Sequence, residues 1–178
     1  MLKKEKGFTL IEMLIVVAII GILAALLIPN AMSALQKAKM RGTQKDIGTI
    51  ATTLMDYLTD KGNFSALPLS GPVTAQDFAP LQGLYAKALS INDQWGNPFA
   101  CYTGSATNVY GLAATTATDE YVVASWGRDG TAEGWSYDAA NPESGLFQIT
   151  STADFDKDIV NWNGSMIRGP RAGSTTTT

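Results

Sequence analysis

The apolar residues of this chain are concentrated in one continuous stretch near the N-terminus, residues 8–28. Strongly polar side chains interrupt that stretch only at Thr9 and Glu12, and a group of lysines lies just before it. A stretch of about 21 residues is long enough for a helix to cross a hydrocarbon core about 30 Å thick. Because basic residues beside a membrane helix stay on the cytoplasmic side, the pattern predicts a single-pass anchor with a cytoplasmic N-terminus.

A helical pattern of apolar residues continues beyond this stretch, at three- and four-residue spacing from Leu35 to Leu58. The pattern predicts one long helix over residues 8–58. Pro29 lies inside this helix, and because proline lacks an amide donor we expect a kink or a melted segment there. The basic residues within the segment 37–45 either contact anionic lipid headgroups or form a solvated face of the helix.

Turn-forming residues replace the helical pattern from Gly62 onward. A short helix is predicted over residues 77–89, and strands are predicted over residues 99–102, 120–125 and 145–150. These elements predict an α+β fold in which the long helix packs on a small antiparallel β-sheet, with extended C-terminal loops after it.

The same patterns divide the chain into segments. We expect a membrane-spanning helix over residues 8–30, an amphipathic helix over 31–60 and a globular α/β domain over 61–168. This domain contains a long loop over residues 127–162. The segment 169–178 has no apolar periodicity and is predicted to be a disordered tail.

Composition narrows the chemistry that the chain can perform. It has no histidine and a single cysteine, Cys101. Histidine-based acid–base catalysis, Ser-His-Asp triads, four-cysteine zinc sites and an internal disulfide are therefore excluded. The net charge is −3 and the basic residues are scattered apart from two small clusters, so no nucleic-acid partner is expected.

The run KGFTLIEMLIVVAIIGILAALLIPN, residues 6–30, resembles the class III signal of type IV pilins and type II secretion pseudopilins. The resemblance implies that residues 1–7 are a leader, that a prepilin peptidase cuts after Gly7, and that Phe8 becomes the N-methylated first residue. An ordinary secretory signal is the competing interpretation, and it would end in a small-residue site such as Ala24–Ala25. The GFTLIE boundary on the basic side is the more specific signal.

Glu12 is an acidic residue inside the predicted membrane helix, about one turn after Phe8. A charged side chain at the bilayer centre costs about 2.5–3.5 kcal/mol, so a partner or a function is expected for it. The family resemblance implies that Glu12 pairs with the freed amine of Phe8 in a neighbouring subunit during filament assembly. The alternative is a glutamate that reaches out to the lipid headgroups.

Three further runs resemble the major pseudopilins of type II secretion systems. NDQWGNPFACY, residues 92–102, is similar to their WGNP signature. YVVASWGRDG, residues 121–130, is similar to their strand and GADG turn, and DIVNW, residues 158–162, is similar to a run near their C-terminus. The first run also predicts core positions at Trp95 and Phe99, with a turn between them.

The resemblance to these pseudopilins implies a calcium site, held by the acid of the GADG turn, a later acid and backbone carbonyls. The matching positions here are Asp129, either Asp156 or Asp158, and the carbonyl of Trp126. Calcium takes about six to eight oxygen ligands, which a turn-rich loop can supply. An insertion over residues 134–154 leaves the second acid undecided. The alternative is a solvated Asp-Gly turn with surface acids.

The leading hypothesis is the major pseudopilin of a type II secretion system, a structural protein rather than an enzyme. It would be anchored in the bacterial inner membrane with its globular domain in the periplasm, and would polymerise with copies of itself. Its other partners would be the prepilin peptidase, the inner-membrane assembly platform, minor pseudopilins and, before assembly, the lipid bilayer. The alternative is a type IV pilus subunit for adhesion, motility or DNA uptake. A membrane-tethered hydrolase using Asp156 and Asp158 is a third hypothesis, without a recognisable nucleophile motif.

Overall fold

The computed structural model describes residues 7–113 and 116–171. The chain divides into two compact units, Met1–Lys37 and Ala38–Thr178. Helix α1 (Leu10–Lys61) begins in the first unit and ends in the second. Residues 1–6 of the predicted leader, and the predicted tail from residue 172 onward, lie outside the described residues.

The large apolar side chains of the first unit, from Phe8 to Leu35, are exposed. Within the described residues, α1 is the one helix that is long and apolar enough to cross a membrane, and none of its most apolar window is buried. The core helix of a soluble protein would cover such side chains, so their exposure agrees with the predicted anchor.

Helix α1 continues without interruption through Pro29. The melted segment expected at this residue is therefore wrong, while the kink stays a prediction. A proline removes one backbone donor and the neighbouring turns keep theirs, so a long helix can accommodate it. The helix begins at Leu10 rather than at Phe8 and ends at Lys61.

The second unit contains a six-stranded sheet with the strand order β1-β2-β3-β5-β6-β4. The strands are β1 (Ser70–Pro72), β2 (Ala100–Thr103), β3 (Tyr121–Ser125), β4 (Leu146–Phe147), β5 (Ile159–Trp162) and β6 (Ser165–Pro170). Neighbouring strands are antiparallel except β4 and β6, which are parallel. The predicted α+β fold is confirmed, and the sheet is mixed rather than wholly antiparallel.

Alternate side chains of the sheet face two different cores, as the two-residue period of a strand requires. On one face, Cys101 and Val123 pack with apolar residues of α1 such as Leu54. On the other face, Val122 and Val160 pack against half-buried aromatic rings. These rings belong to Tyr102, Tyr110, Trp126, Trp135, Tyr137 and Trp162. Because both faces are covered, every residue of β3 is buried.

The structure corrects several boundaries that were drawn from the sequence. The second helix, α2 (Ala75–Phe78), ends early, so the helix predicted over residues 77–89 is wrong. The strand predicted over 145–150 shrinks to the two residues of β4, because a 3₁₀ turn occupies Pro142–Gly145. Phe99 is fully buried as predicted, whereas Trp95 is only half-buried.

Strands β5 and β6 form a hairpin that was not predicted from the sequence. The two residues between them, Asn163 and Gly164, both have positive φ angles, of 46° and 86°. Asn-Gly is the preferred pair for such a two-residue turn, so the signal was present in the sequence. Because β6 extends to Pro170, the disorder predicted for residues 169 and 170 is wrong.

Candidate functional site

The predicted cleavage junction lies directly before α1. Gly7, Phe8 and Thr9 precede the helix without regular secondary structure, and Phe8 is 72% exposed. A peptide bond in an exposed, non-helical segment is accessible to a peptidase. The assignment of Gly7 and Phe8 as the cleavage and methylation residues stays a prediction, and this geometry permits it.

Glu12 is bound at the start of α1 by Thr9. The backbone N–H and the hydroxyl of Thr9 donate to Oε2 of Glu12, at 2.8 and 2.6 Å, and the N–H of Glu12 donates to Oγ1 of Thr9 at 3.3 Å. This reciprocal arrangement is a capping box, which satisfies helix N–H groups that lack partners in the first turn. The Thr-x-x-Glu spacing would have predicted it. The carboxylate of Glu12 thus already has partners in its own chain.

The WGNP-like run and the turn after β3 form one hydrogen-bonded unit. Asp93 accepts hydrogen bonds from the backbone N–H groups of Trp95 and Asn97, each at 2.9 Å, and from the hydroxyl of Ser125 at 2.8 Å. The side-chain amide of Asn97 donates to the carbonyl of Gly127 at 2.8 Å. These bonds fix the backbone of the turn that carries the first predicted metal ligand.

Two of the three predicted acidic ligands are engaged by residues near the turn. Oδ1 of Asp129 accepts from the N–H of Thr131 at 3.0 Å. Asp156 is paired with Arg128 through two hydrogen bonds of 2.7 and 2.8 Å. Since a guanidinium already occupies both of its oxygens, Asp156 is a poor candidate ligand. It is also a poor member of the carboxylate pair that a hydrolase would need.

Asp158 is fully buried directly before β5. Its Oδ2 accepts from the backbone N–H of Glu133 at 3.0 Å, whereas Oδ1 has no hydrogen-bond partner within the described residues. Burial raises the pKa of Asp158 to about 7, and the negative charges of Glu133 and Asp129 act in the same direction. A buried carboxylate with an unpaired oxygen is costly unless a proton or a cation neutralises it.

The arrangement of these acids can be tested against the requirements of calcium. No group of three or more metal-binding side chains comes together in the part of the chain that the structure describes. Calcium also accepts backbone carbonyls, however, and the charges of Asp129 and Asp158 interact with each other. The buried, unpaired Oδ1 of Asp158 is compatible with a cation. Calcium binding by Asp129, Asp158 and a carbonyl such as that of Trp126 stays a prediction.

Glu133 and Arg168 belong to this region, although neither was predicted from the sequence. Nε of Arg168 donates to Oε2 of Glu133 at 3.0 Å, and Nη2 of Arg168 donates to the same oxygen. The guanidinium carbon of Arg168 lies 4.9 Å from the ring centre of Trp135 and 5.6 Å from that of Phe147. No local pattern marks this pair, because its members are 35 residues apart in the sequence.

Comparison with known proteins identifies a family motif in the N-terminal segment. The prokaryotic N-terminal methylation motif matches residues 2–28. The chain is 32% identical to the type II secretion system core protein G of Escherichia coli strain K12, over 61% of this chain and 79% of that protein. It is 29% identical to the type II secretion system core protein G of Dickeya chrysanthemi, over 90% of this chain and 88% of that protein.

A pilin is also among the similar proteins. The type IV major pilin protein PilA of Myxococcus xanthus is 39% identical, over 35% of this chain and 28% of that protein. No solved structure matches the chain significantly. The similarity to core protein G thus extends over much more of the chain than the similarity to the pilin.

Proposed function

The chain belongs to the family of the type II secretion system core protein G, and from this membership we propose that it is the major pseudopilin of such a system. In this role it is a structural subunit that polymerises into a periplasmic pseudopilus for protein export. The observation that carries the proposal is the extent of the similarity, which covers 90% of the chain for one core protein G and 35% for the pilin.

The first unit supports the anchoring and assembly steps of this function. The exposed apolar side chains of α1 enter the inner membrane before assembly and the filament core afterwards. Prepilin peptidase removes the leader after Gly7 and Phe8 is then methylated. Glu12, about one turn inside the new N-terminus, pairs with the amine of Phe8 of a neighbouring subunit, so that each buried charge neutralises the other.

The second unit contains the folded domain, which would lie on the outside of the filament. We propose that it binds a calcium ion through Asp129 and Asp158, together with backbone carbonyls that include Trp126. The unpaired Oδ1 of buried Asp158 supports this assignment, because a divalent cation would neutralise a carboxylate that is costly to bury. When bound, the ion would link the turn after β3 to the start of β5, and its role would be structural.

A genetic experiment tests the secretion role against the pilus alternative. Deletion of the gene in the native host should leave folded substrates of the secretion system in the periplasm, and a plasmid copy should restore their release. Surface pili and surface motility should be unaffected. Normal secretion together with a loss of surface pili would contradict the proposal and favour the type IV pilus subunit.

A further inference from the structure

Arg168 places a permanent positive charge inside the second unit. The residue lies on β6, is 6% exposed, and packs its guanidinium against the rings of Trp135 and Phe147. An arginine side chain stays protonated in proteins, so a buried guanidinium needs an anionic partner. Within the described residues that partner is Glu133, which accepts two of its N–H groups on Oε2.

The side chain of Arg168 and the backbone N–H of Asp158 donate to the same oxygen atom. Oε2 of Glu133, which accepts from Arg168, also accepts from the backbone N–H of Asp158 at 3.4 Å. The positive charge of Arg168 acts on the carboxylate of Asp158. The guanidinium of Arg168 and the backbone N–H of Asp158 therefore meet at one carboxylate, that of Glu133. Arg168 pairs with Val160 of β5, two residues after Asp158, so Asp158 is the acid next to this pair in the sequence.

We propose that Glu133 is a positioning residue for a cation at Asp158, and that it acts by holding Arg168 away from Oδ1. The inference rests on the proposed binding of calcium by Asp129 and Asp158. Glu133 acts at two points. Its backbone N–H binds Oδ2 of Asp158 and thereby leaves Oδ1 as the free oxygen. Its side chain neutralises the guanidinium of Arg168, which would otherwise turn to that oxygen.

The substitution Glu133→Gln separates this role from a purely structural one. Glutamine keeps the shape of the side chain and the backbone donor to Oδ2, but it removes the negative charge. A guanidinium prefers a charged acceptor to a neutral amide, so Arg168 should turn to Asp158 and form a bidentate pair there. Calcium would then have to break a buried ion pair before it could bind.

The experiment uses the full chain in detergent micelles, freed of metal with a chelator and titrated with calcium chloride in a calorimeter. Glu133→Gln should weaken calcium binding at least about tenfold, because of the competing ion pair. Adding Arg168→Met to Glu133→Gln removes the competitor, so the double variant should recover most of the affinity. Glu143→Gln, which removes the charge from an exposed pair with Arg171, is the matched control and should bind like the wild type.

The outcomes distinguish this inference from the calcium proposal. A wild-type chain that gives no heat with calcium overturns the calcium site, and with it this inference. Wild-type binding with unchanged affinity in Glu133→Gln overturns the inference alone. A loss that Arg168→Met does not rescue shows that Glu133 acts structurally, and it too overturns the inference.

Folding of the variants is checked by thermal melting in chelator. Glu133→Gln should keep a cooperative transition, because the new pair of Arg168 with Asp158 replaces the old one. If that variant does not fold, Arg168→Met alone decides the question. It removes a positive charge near the site, so its calcium affinity should equal or exceed that of the wild type. A weaker affinity in Arg168→Met would overturn the inference.

Discussion

The hydroxyl of Ser125 donates a hydrogen bond of 2.8 Å to the carboxylate of Asp93, and both residues are buried. The bond joins the end of β3 to the WGNP-like turn, 32 residues earlier in the chain. The same carboxylate accepts the backbone N–H groups of Trp95 and Asn97. A single buried acid therefore holds together two regions that are separate motifs in the sequence.

Asp93→Ala should lower the free energy of unfolding by about 3–5 kcal/mol, because a buried charged acceptor is lost and its donors remain. Asp138 provides the control, since it also accepts backbone and side-chain N–H groups but is exposed. Asp138→Ala should change the free energy of unfolding by less than about 1 kcal/mol. Urea unfolding of the full chain in detergent, followed by tryptophan fluorescence, measures both. Similar losses in the two variants would contradict the role given to Asp93.

The mature protein should begin with N-methylated Phe8. Cleavage after Gly7 removes three lysines and one glutamate, so the net charge should move from −3 to about −5. Intact-mass measurement on native filaments gives both the cleavage position and the methyl group. A bulky residue in place of Gly7 should leave uncleaved precursor in the inner membrane. A mature chain that begins after Ala25 would show instead that the apolar segment is an ordinary secretory signal.

Glu12→Leu should be inserted and cleaved normally but should assemble poorly. The amine of Phe8 in the next subunit would be buried without its partner, at a cost of about 3–5 kcal/mol. Sheared-filament yield, normalised to cleaved subunit, measures the defect. Thr9→Ala is the control, because it opens the capping box and leaves the carboxylate of Glu12 in place. Equal defects in both variants would mean that Glu12 acts through helix capping rather than through its neighbour.

Calcium should raise the melting temperature of the chelator-treated chain. At one hundred times the dissociation constant, a bound ligand stabilises the folded state by about 2.7 kcal/mol. Asp129→Ala and Asp158→Asn should each abolish the rise, whereas Asp156→Asn should preserve it because Asp156 is paired with Arg128. Magnesium should have a much smaller effect, because it requires a stricter octahedral geometry. A melting curve that stays unchanged in millimolar calcium would remove the metal from the proposal.

The stability of the metal-free chain should depend on pH through Asp158. Its pKa is raised from 3.8 to about 7 in the folded state, so the folded chain binds this proton more tightly than the unfolded chain. Stability should therefore fall between about pH 4 and pH 7 as the pH rises, by an amount on the order of a few kcal/mol. Asp158→Asn should flatten the profile in this window, as should saturating calcium. Parallel profiles for wild type and variant, from melting in chelator, would show that Asp158 does not titrate in this way.

Much of the first unit could be read from the sequence, because its signals are local. The apolar stretch, the basic leader and the GFTLIE boundary predict an anchored helix and a processing site, and α1 has the expected position. The melted segment expected at Pro29 was wrong, since one missing backbone donor does not end a helix whose other turns stay intact. The capping box of Thr9 and Glu12 was equally local and could have been predicted.

The candidate metal region was predicted only in part. The sequence identified Asp129 and left Asp156 and Asp158 as alternatives, because both acids flank the same short segment. The structure separates them by their surroundings, since Asp156 meets Arg128 at the surface while Asp158 is buried with one free oxygen. Neither burial nor pairing with a distant residue is encoded in spacing.

The sequence by itself predicted an anchored subunit with a cleavable leader and an α+β domain, because helical and strand periods and short motifs are properties of neighbouring residues. Tertiary structure alone decided which of the two acids is buried with an unpaired oxygen and which residues surround it. Glu133 contacts Asp158, which is 25 residues away in the sequence, and Arg168, which is 35 residues away. Both contacts depend on how β5 pairs with β6 and on how the inserted loop packs on these strands. Contacts at such separations arise when the chain folds, so no local pattern predicts them.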